Sequence, residues 1–160
     1  MQSLPPPPTL YSNTEPSPAE PRIELTSKIA SVIVDIQSSN LMRACHSLLA
    51  TTTWLSTHVT ELGFHLDASS ETPAQLKLWE SYNHAWLAML QRQQDMMTAQ
   101  AVMQPWQTVI SLEDLKRLGE QLIRLADVLE PHGLVDYHNG VWEEQIMTHL
   151  VECCDQYEHE

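Results

Sequence analysis

Histidine and cysteine are the side chains of this sequence that offer metal-binding or nucleophilic chemistry, and the chain has 8 His and 3 Cys. Helical spacing would place His58 with Glu61, and Glu61 with His65, on a shared face, and it relates His149 to Cys153 in the same way. Structural zinc sites and di-iron bundles are built on Cys-x-x-Cys, His-Glu-x-x-His or Glu-x-x-His motifs. None of these motifs occurs here. We therefore expect no metal and no cofactor.

A thiol activated by a histidine is the second chemistry to consider. Cys45 and His46 are adjacent, but adjacent residues of a helix do not face each other. Cys45 is better explained as a small buried hydrophobic residue. The sequence also lacks a glycine-rich phosphate loop and a Gly-x-Ser-x-Gly motif. We assign no catalytic residue and favour a protein that is not an enzyme.

Aromatic side chains are numerous enough to suggest a ligand pocket as an alternative. Tryptophan and tyrosine recur both in ligand pockets and in protein interfaces. Gln93 falls within the apolar arc of a predicted helix, and a buried amide needs a partner. It either bonds to another helix or faces a cavity or a second chain. The residues that would line an aromatic pocket between helices are Trp54, His58, Trp79, Tyr82, Trp86 and Gln93.

The stretch 41–62 has the composition of a helix that is covered on more than one side. An apolar seam with alternating spacing of four and three residues runs through Leu41, Cys45, Leu48, Thr52, Leu55, Val59 and Leu62. No charged residue lies between Arg43 and Glu61, whereas a surface helix normally has a charged back. This absence of charge predicts a contact face made of His46, Ala50, Thr53, Trp54, Thr57 and His58. If Ala50, Trp54 and Thr57 were all open to solvent in a lone chain, the case for a binding role would fail.

The periodicity of the remaining sequence predicts an all-α protein, an up-and-down bundle of four or five helices. Residues 1–21 are rich in proline and are predicted to be a disordered arm, and residues 22–160 to be a single helical bundle domain. The apolar stripe shifts around the helix at Ser38-Ser39-Asn40. Either the helix breaks there, with Asn40 as N-cap, or one continuous helix contacts two different neighbours.

Helix boundaries are predicted from proline and from capping residues. Pro73 is expected to open a helix that runs to about Met103. Ser111 with Asp114 resembles a capping box at the start of a leucine-striped helix. A last helix is expected from about Val141.

The balance of charge restricts the partners. The formal net charge is −13, so the surface should repel nucleic acid. The acids concentrate in the last helix, where a basic partner is one interpretation and a solvated face is another. We expect no secretory signal, and no apolar run is long enough for a membrane.

The adjacent Cys153 and Cys154 are too close for a usual disulfide. We expect an intracellular protein, cytoplasmic or nuclear, with free thiols.

These observations favour a non-enzymatic helical module for protein–protein interaction. It would be a homodimer or a subunit of a larger assembly, with its contact on the uncharged face of residues 41–62. The alternative is a small-molecule-binding helical protein, or a compact enzyme, with the aromatic pocket named above.

Overall fold

The computed structural model describes residues 19–62, 73–99, 102–134 and 141–159, and this part of the chain is all-α. Its five helices are α1 Ala19–Gln37, α2 Leu41–Thr57, α3 Pro73–Ala99, α4 Leu112–Leu129 and α5 Glu143–Glu158. A short 3-10 turn, Glu130–His132, follows α4. The predicted helical bundle is confirmed, and the described residues form five helices, the larger of the two numbers predicted. Most of the predicted arm lies outside the described residues, but α1 already includes its last three residues.

The five helices form a closed ring around one core. α1 packs on α2, α2 on α4, α4 on α5, α5 on α3, and α3 on α1, while α2 also touches α3. Every helix contributes buried apolar side chains to this core, among them Val32, Leu48, Trp86, Leu122 and Ile146. α4 shows why. Five of its leucines recur at helical spacing and become buried, while the opposite face stays charged; they are Leu115, Leu118, Leu122, Leu125 and Leu129.

The corner between α1 and α2 explains the shift in the apolar stripe. The helix breaks at Ser39, whose φ is +61°, and Asn40 caps α2 by accepting a hydrogen bond from the Arg43 amide at 3.4 Å. Thr108 holds the corner from the α3–α4 connection: its carbonyl accepts from the Leu41 amide, and its amide donates to the Ser39 carbonyl, both at 3.0 Å. Of the two alternatives left open by the sequence, the broken helix is observed.

α2 is shorter than its seam predicts. The helix ends at Thr57, and His58 is its C-cap. Val59 and Leu62 nevertheless stay buried, because a turn closed by the Leu62 amide on the His58 carbonyl returns them to the core. The apolar seam therefore predicted the burial of these two residues but not their backbone conformation.

The other helix boundaries are close to those predicted. α3 starts at Pro73 and ends at Ala99, short of Met103. Ser111 caps α4 by accepting from the Asp114 amide at 3.2 Å. α5 starts at Glu143, two residues after Val141.

Candidate functional site

The outward side of α2 is open in the single chain. His46, Ala50, Thr53 and Thr57 follow one another at spacings of four, three and four residues, which puts them on one face of the helix. All four are exposed, whereas Trp54 and His58, the other residues of the predicted face, are half-buried. The six predicted contact residues thus lie close together. Four form an open stripe on α2, while Trp54 and the C-cap residue His58 lie at the edge that faces α1.

The polar groups of this face are largely satisfied by the helix itself. The hydroxyls of Thr53, Ser56 and Thr57 donate to backbone carbonyls three or four residues earlier, at 3.0, 2.7 and 2.9 Å. The buried Thr51 does the same, because its hydroxyl donates to the Ser47 carbonyl at 2.7 Å. Covering hydroxyls whose protons are already bonded costs less than covering free ones. The face can therefore be dehydrated at low cost.

One edge of the face is covered by α1. The rings of Trp54 and His58 stack with centroids 4.2 Å apart and planes 12° from parallel, and the Lys28 ammonium lies 5.6 Å from the centroid of the Trp54 ring. His58 Nδ1 is 2.7 Å from the Trp54 carbonyl oxygen, and its Nε2 is 3.8 Å from a Glu61 carboxylate oxygen. The two half-buried aromatic side chains are thus held in fixed positions.

The cover that the uncharged composition predicts for both flanks of α2 is present only in part. Within one chain it extends over Trp54, while Ala50 and Thr57 remain exposed. The condition set against the contact face is therefore met at Ala50 and Thr57 but not at Trp54, which is half-buried.

The thiol beside this face is not arranged for catalysis. Cys45 is fully buried, and burial raises the pKa of its thiol to about 12, with a further upward contribution from the Asp114 carboxylate. A thiol with this pKa carries almost no thiolate at neutral pH. Neighbouring His46 points outward, with Nε2 3.9 Å from an Asp114 carboxylate oxygen. This geometry supports the assignment of Cys45 as a packing residue.

The six residues of the alternative aromatic pocket do not line one cavity. Trp79, Tyr82 and Trp86 are packed in the core with 2% or less of their surface exposed, while Trp54 and His58 lie at the surface. The Tyr82 hydroxyl is 2.7 Å from the Thr52 hydroxyl, and the Gln93 amide bonds to the backbone of Ile110. The pocket is therefore replaced by solid core, and Gln93 has its partner within the chain.

The histidines do not form a metal-binding cluster in the described residues. In the described part of the chain, no group of three or more His, Cys, Asp or Glu side chains could hold a metal ion. His149 Nδ1 lies 3.6 Å from a Glu152 carboxylate oxygen, whereas the Cys153 thiol donates to the Leu90 carbonyl at 3.5 Å. His65 lies outside the described residues.

The acidic last helix presents most of its carboxylates to solvent. Glu144, Glu152, Asp155 and Glu158 are exposed, and Gln94 of α3 donates to Glu152 at 3.1 Å. Glu143 is half-buried, and its pKa is raised by desolvation and then by the carboxylates of Asp127 and Glu130. Both interpretations of this helix, a solvated face and a site for a basic partner, are compatible with that exposure.

Two surface features were missed by the sequence analysis. The first is a cleft between α1 and α3, which is lined by residues from Arg22 to Ile33 and from Lys77 to His84. The second is an apolar patch in the α3–α4 connection, where Val102, Met103 and Trp106 are 92%, 48% and 57% exposed. Thr108, two residues further on, donates from its amide to Ser39 and accepts from the Met42 amide at 3.0 Å, which puts this connection at the N-terminal end of α2. The proline and tryptophan of the connection were visible in the sequence, but their exposure depends on tertiary packing.

Comparisons with protein-family models, with curated proteins and with solved structures gave no match for this chain. None of the helices in the described residues is long and apolar enough to cross a membrane. Function must therefore be argued from the surfaces themselves.

Proposed function

We propose that this protein is a non-enzymatic helical module for protein–protein interaction, a homodimer or a subunit of a larger assembly, whose contact is the exposed face of α2. The single observation that carries this proposal is the chemistry of that face. From Met42 to Thr60 the only charged residue is Arg43, and the hydroxyls of Thr53, Ser56 and Thr57 bond to their own helix.

Interface formation removes water from the contacting groups, so a face without charges and without free hydroxyl protons loses little on contact. α4 provides the contrast within the same bundle. Its outward side carries Lys116, Glu120, Arg124 and Asp127, which would need new partners in a dry interface. The small side chains of Ala50 and Thr53 also allow a second helix to approach closely.

The patch at Val102, Met103 and Trp106 extends the apolar surface at the N-terminal end of α2. Exposed tryptophan is enriched among residues that dominate binding energy at interfaces. A contact that includes both surfaces would combine a flat uncharged helix face with an aromatic side chain at one end.

The test compares one substitution at two exposed alanines in the middle of helices. Ala50→Glu adds a charge to the α2 face, and Ala88→Glu adds the same charge to an exposed position on α3. Sedimentation velocity at micromolar concentration should show self-association, or a complex with an isolated partner protein, that Ala50→Glu abolishes and Ala88→Glu preserves. A strictly monomeric wild-type chain with no stable partner, or equal effects of the two substitutions, would refute the proposal.

A further inference from the structure

α1 and α3 run in parallel along an open cleft of about 840 Å³. Arg22 of α1 and Lys77 of α3 line its first part, and further along the two helices Arg92 Nε donates to the Ser39 hydroxyl at 2.8 Å. On α1 the lining extends from Arg22 to Ile33, a distance of about 16 Å at the usual helical rise. The volume lies within the range of ligand sites, roughly 300–1,000 Å³.

The wall of the cleft is apolar with a few small hydroxyl groups. Five of the eleven lining residues are isoleucine, leucine or alanine, and Ile23 is 69% exposed although it is a large aliphatic residue. The hydroxyl of Thr26 is already bonded to the Arg22 carbonyl at 2.8 Å. An aliphatic ligand would therefore dehydrate this wall favourably.

The charges along the cleft are all of one sign. Arg22 and Lys77 line it, and no Asp or Glu does, although the chain has 21 acidic and only 8 basic residues. Within the described part of the chain, neither Arg22 nor Lys77 forms a salt bridge with a carboxylate. Arg22 is held in position because its Nε donates to the Leu62 carbonyl at 3.1 Å.

The two cations sit close to the N-terminal ends of α1 and α3, where the helix dipoles add positive potential. One end of the cleft thus carries two cationic side chains, and the wall that runs from this end is mainly apolar. This arrangement is complementary to a molecule with an anionic head and a linear hydrocarbon tail.

We propose that the cleft binds a long-chain fatty acid. Its carboxylate lies between Arg22 and Lys77, and its alkyl chain runs along Ile23 and Ala30 toward Ile33. An extended chain of about fourteen carbons matches the length of about 16 Å that the helical rise gives for this wall. This site is separate from the α2 face, so it stands or falls independently of the interaction proposed above.

Calorimetric titration of the full chain with tetradecanoate, below its micelle concentration, tests the site. We expect micromolar binding that weakens about tenfold or more in Lys77→Glu and is unchanged in Lys116→Glu, which reverses an exposed lysine on α4. Ala30→Trp should fill the cleft and abolish binding, whereas Val151→Trp, at an exposed residue of α5, should not, because α5 contributes no residue to the cleft lining. Circular dichroism of each variant shows whether the fold is retained.

Matched ligands test the chemical class. Tetradecyltrimethylammonium has the same tail and the opposite charge, and it should bind at least tenfold more weakly than tetradecanoate. Equal binding of the two would overturn the role of the cations, and tighter binding of tetradecyl phosphate would overturn the carboxylate. An acidic amphipathic peptide that bound more tightly than tetradecanoate, and lost binding in Lys77→Glu and Ala30→Trp, would make the cleft a helix-binding groove. Absence of tetradecanoate binding, or binding indifferent to Ala30→Trp, would overturn the proposal.

Discussion

The side-chain amide of Gln93 is paired with both backbone groups of Ile110. Its Oε1 accepts from the Ile110 amide at 2.8 Å, and its Nε2 donates to the Ile110 carbonyl at 3.0 Å. Both residues are fully buried. The pairing fixes the connection that enters α4 against the middle of α3, and Tyr157 of α5 donates to the same carbonyl.

Replacing Gln93 by leucine should destabilise the fold by about 1–3 kcal/mol, because the buried Ile110 amide would lose its acceptor. Urea unfolding measures the loss. Gln91→Leu is the control. Gln91 is exposed on the same helix, and its side-chain amide donates to nearby Asp95. Its replacement should change stability by less than about 0.5 kcal/mol. Similar losses for the two variants would contradict the assigned role of the pairing.

The buried hydroxyl pair of Thr52 and Tyr82, at 2.7 Å, should show coupling in a double-mutant cycle. Thr52→Val and Tyr82→Phe each remove one partner, so the second substitution should cost less once the first is present, with a coupling of about 1 kcal/mol. Thr53→Val serves as the comparison because Thr53 is exposed and bonds to its own helix. Its effect should add to that of Tyr82→Phe, and additivity in both cycles would contradict the pairing.

Cys154 should be the thiol that reacts first with a disulfide reagent in the folded protein. Burial raises the pKa of Cys45 and of Cys153 to about 12, whereas Cys154 is only partly buried, with a pKa that desolvation raises to a smaller extent. At about pH 8, one equivalent should react before unfolding and two with it. Cys154→Ser should remove the early phase and Cys153→Ser should preserve it. Early loss of all three thiols would contradict the burial of Cys45 and Cys153.

Glu143 should reduce stability at neutral pH. Its pKa in the folded chain is raised by desolvation and by Asp127 and Glu130, so the folded state favours its protonated form. The associated stability is present below the unfolded pKa of about 4.3 and is lost as pH rises through the folded pKa. Glu143→Gln should therefore raise the melting temperature at pH 7 relative to Glu144→Gln, which removes an exposed acid from the same helical turn. The difference should disappear near about pH 4, and a pH-independent difference would contradict the assignment.

Local features of the fold were predictable because they depend on residues close in sequence. The start of α3 at Pro73, the Ser111 cap and the leucine stripe of α4 all follow from short patterns. Tyr82, Trp86 and Gln93 share one helical arc of α3, and all three are buried. What the patterns could not decide was whether aromatic side chains on one arc enclose a cavity or fill it, since that depends on how closely the other helices approach.

The candidate sites also combine features that local sequence predicts with features that depend on tertiary packing. The uncharged stretch of α2 was evident from composition, but whether it is covered depends on neighbours that composition does not specify. The α1–α3 cleft was not anticipated because it is formed by two helices that are separated in sequence by all of α2. Ile23 and Lys77 acquire a shared role only when those helices lie side by side.

The contact between Thr108 and Asn40 has a consequence for the order of folding. The Thr108 hydroxyl donates to the Asn40 side chain at 2.9 Å across a sequence separation of 68 residues. Closing so long a loop is slow compared with forming a helical hairpin. α1 and α2 should therefore associate early, and the corner that sets their mutual angle should become rigid only after α3 and its following connection have docked.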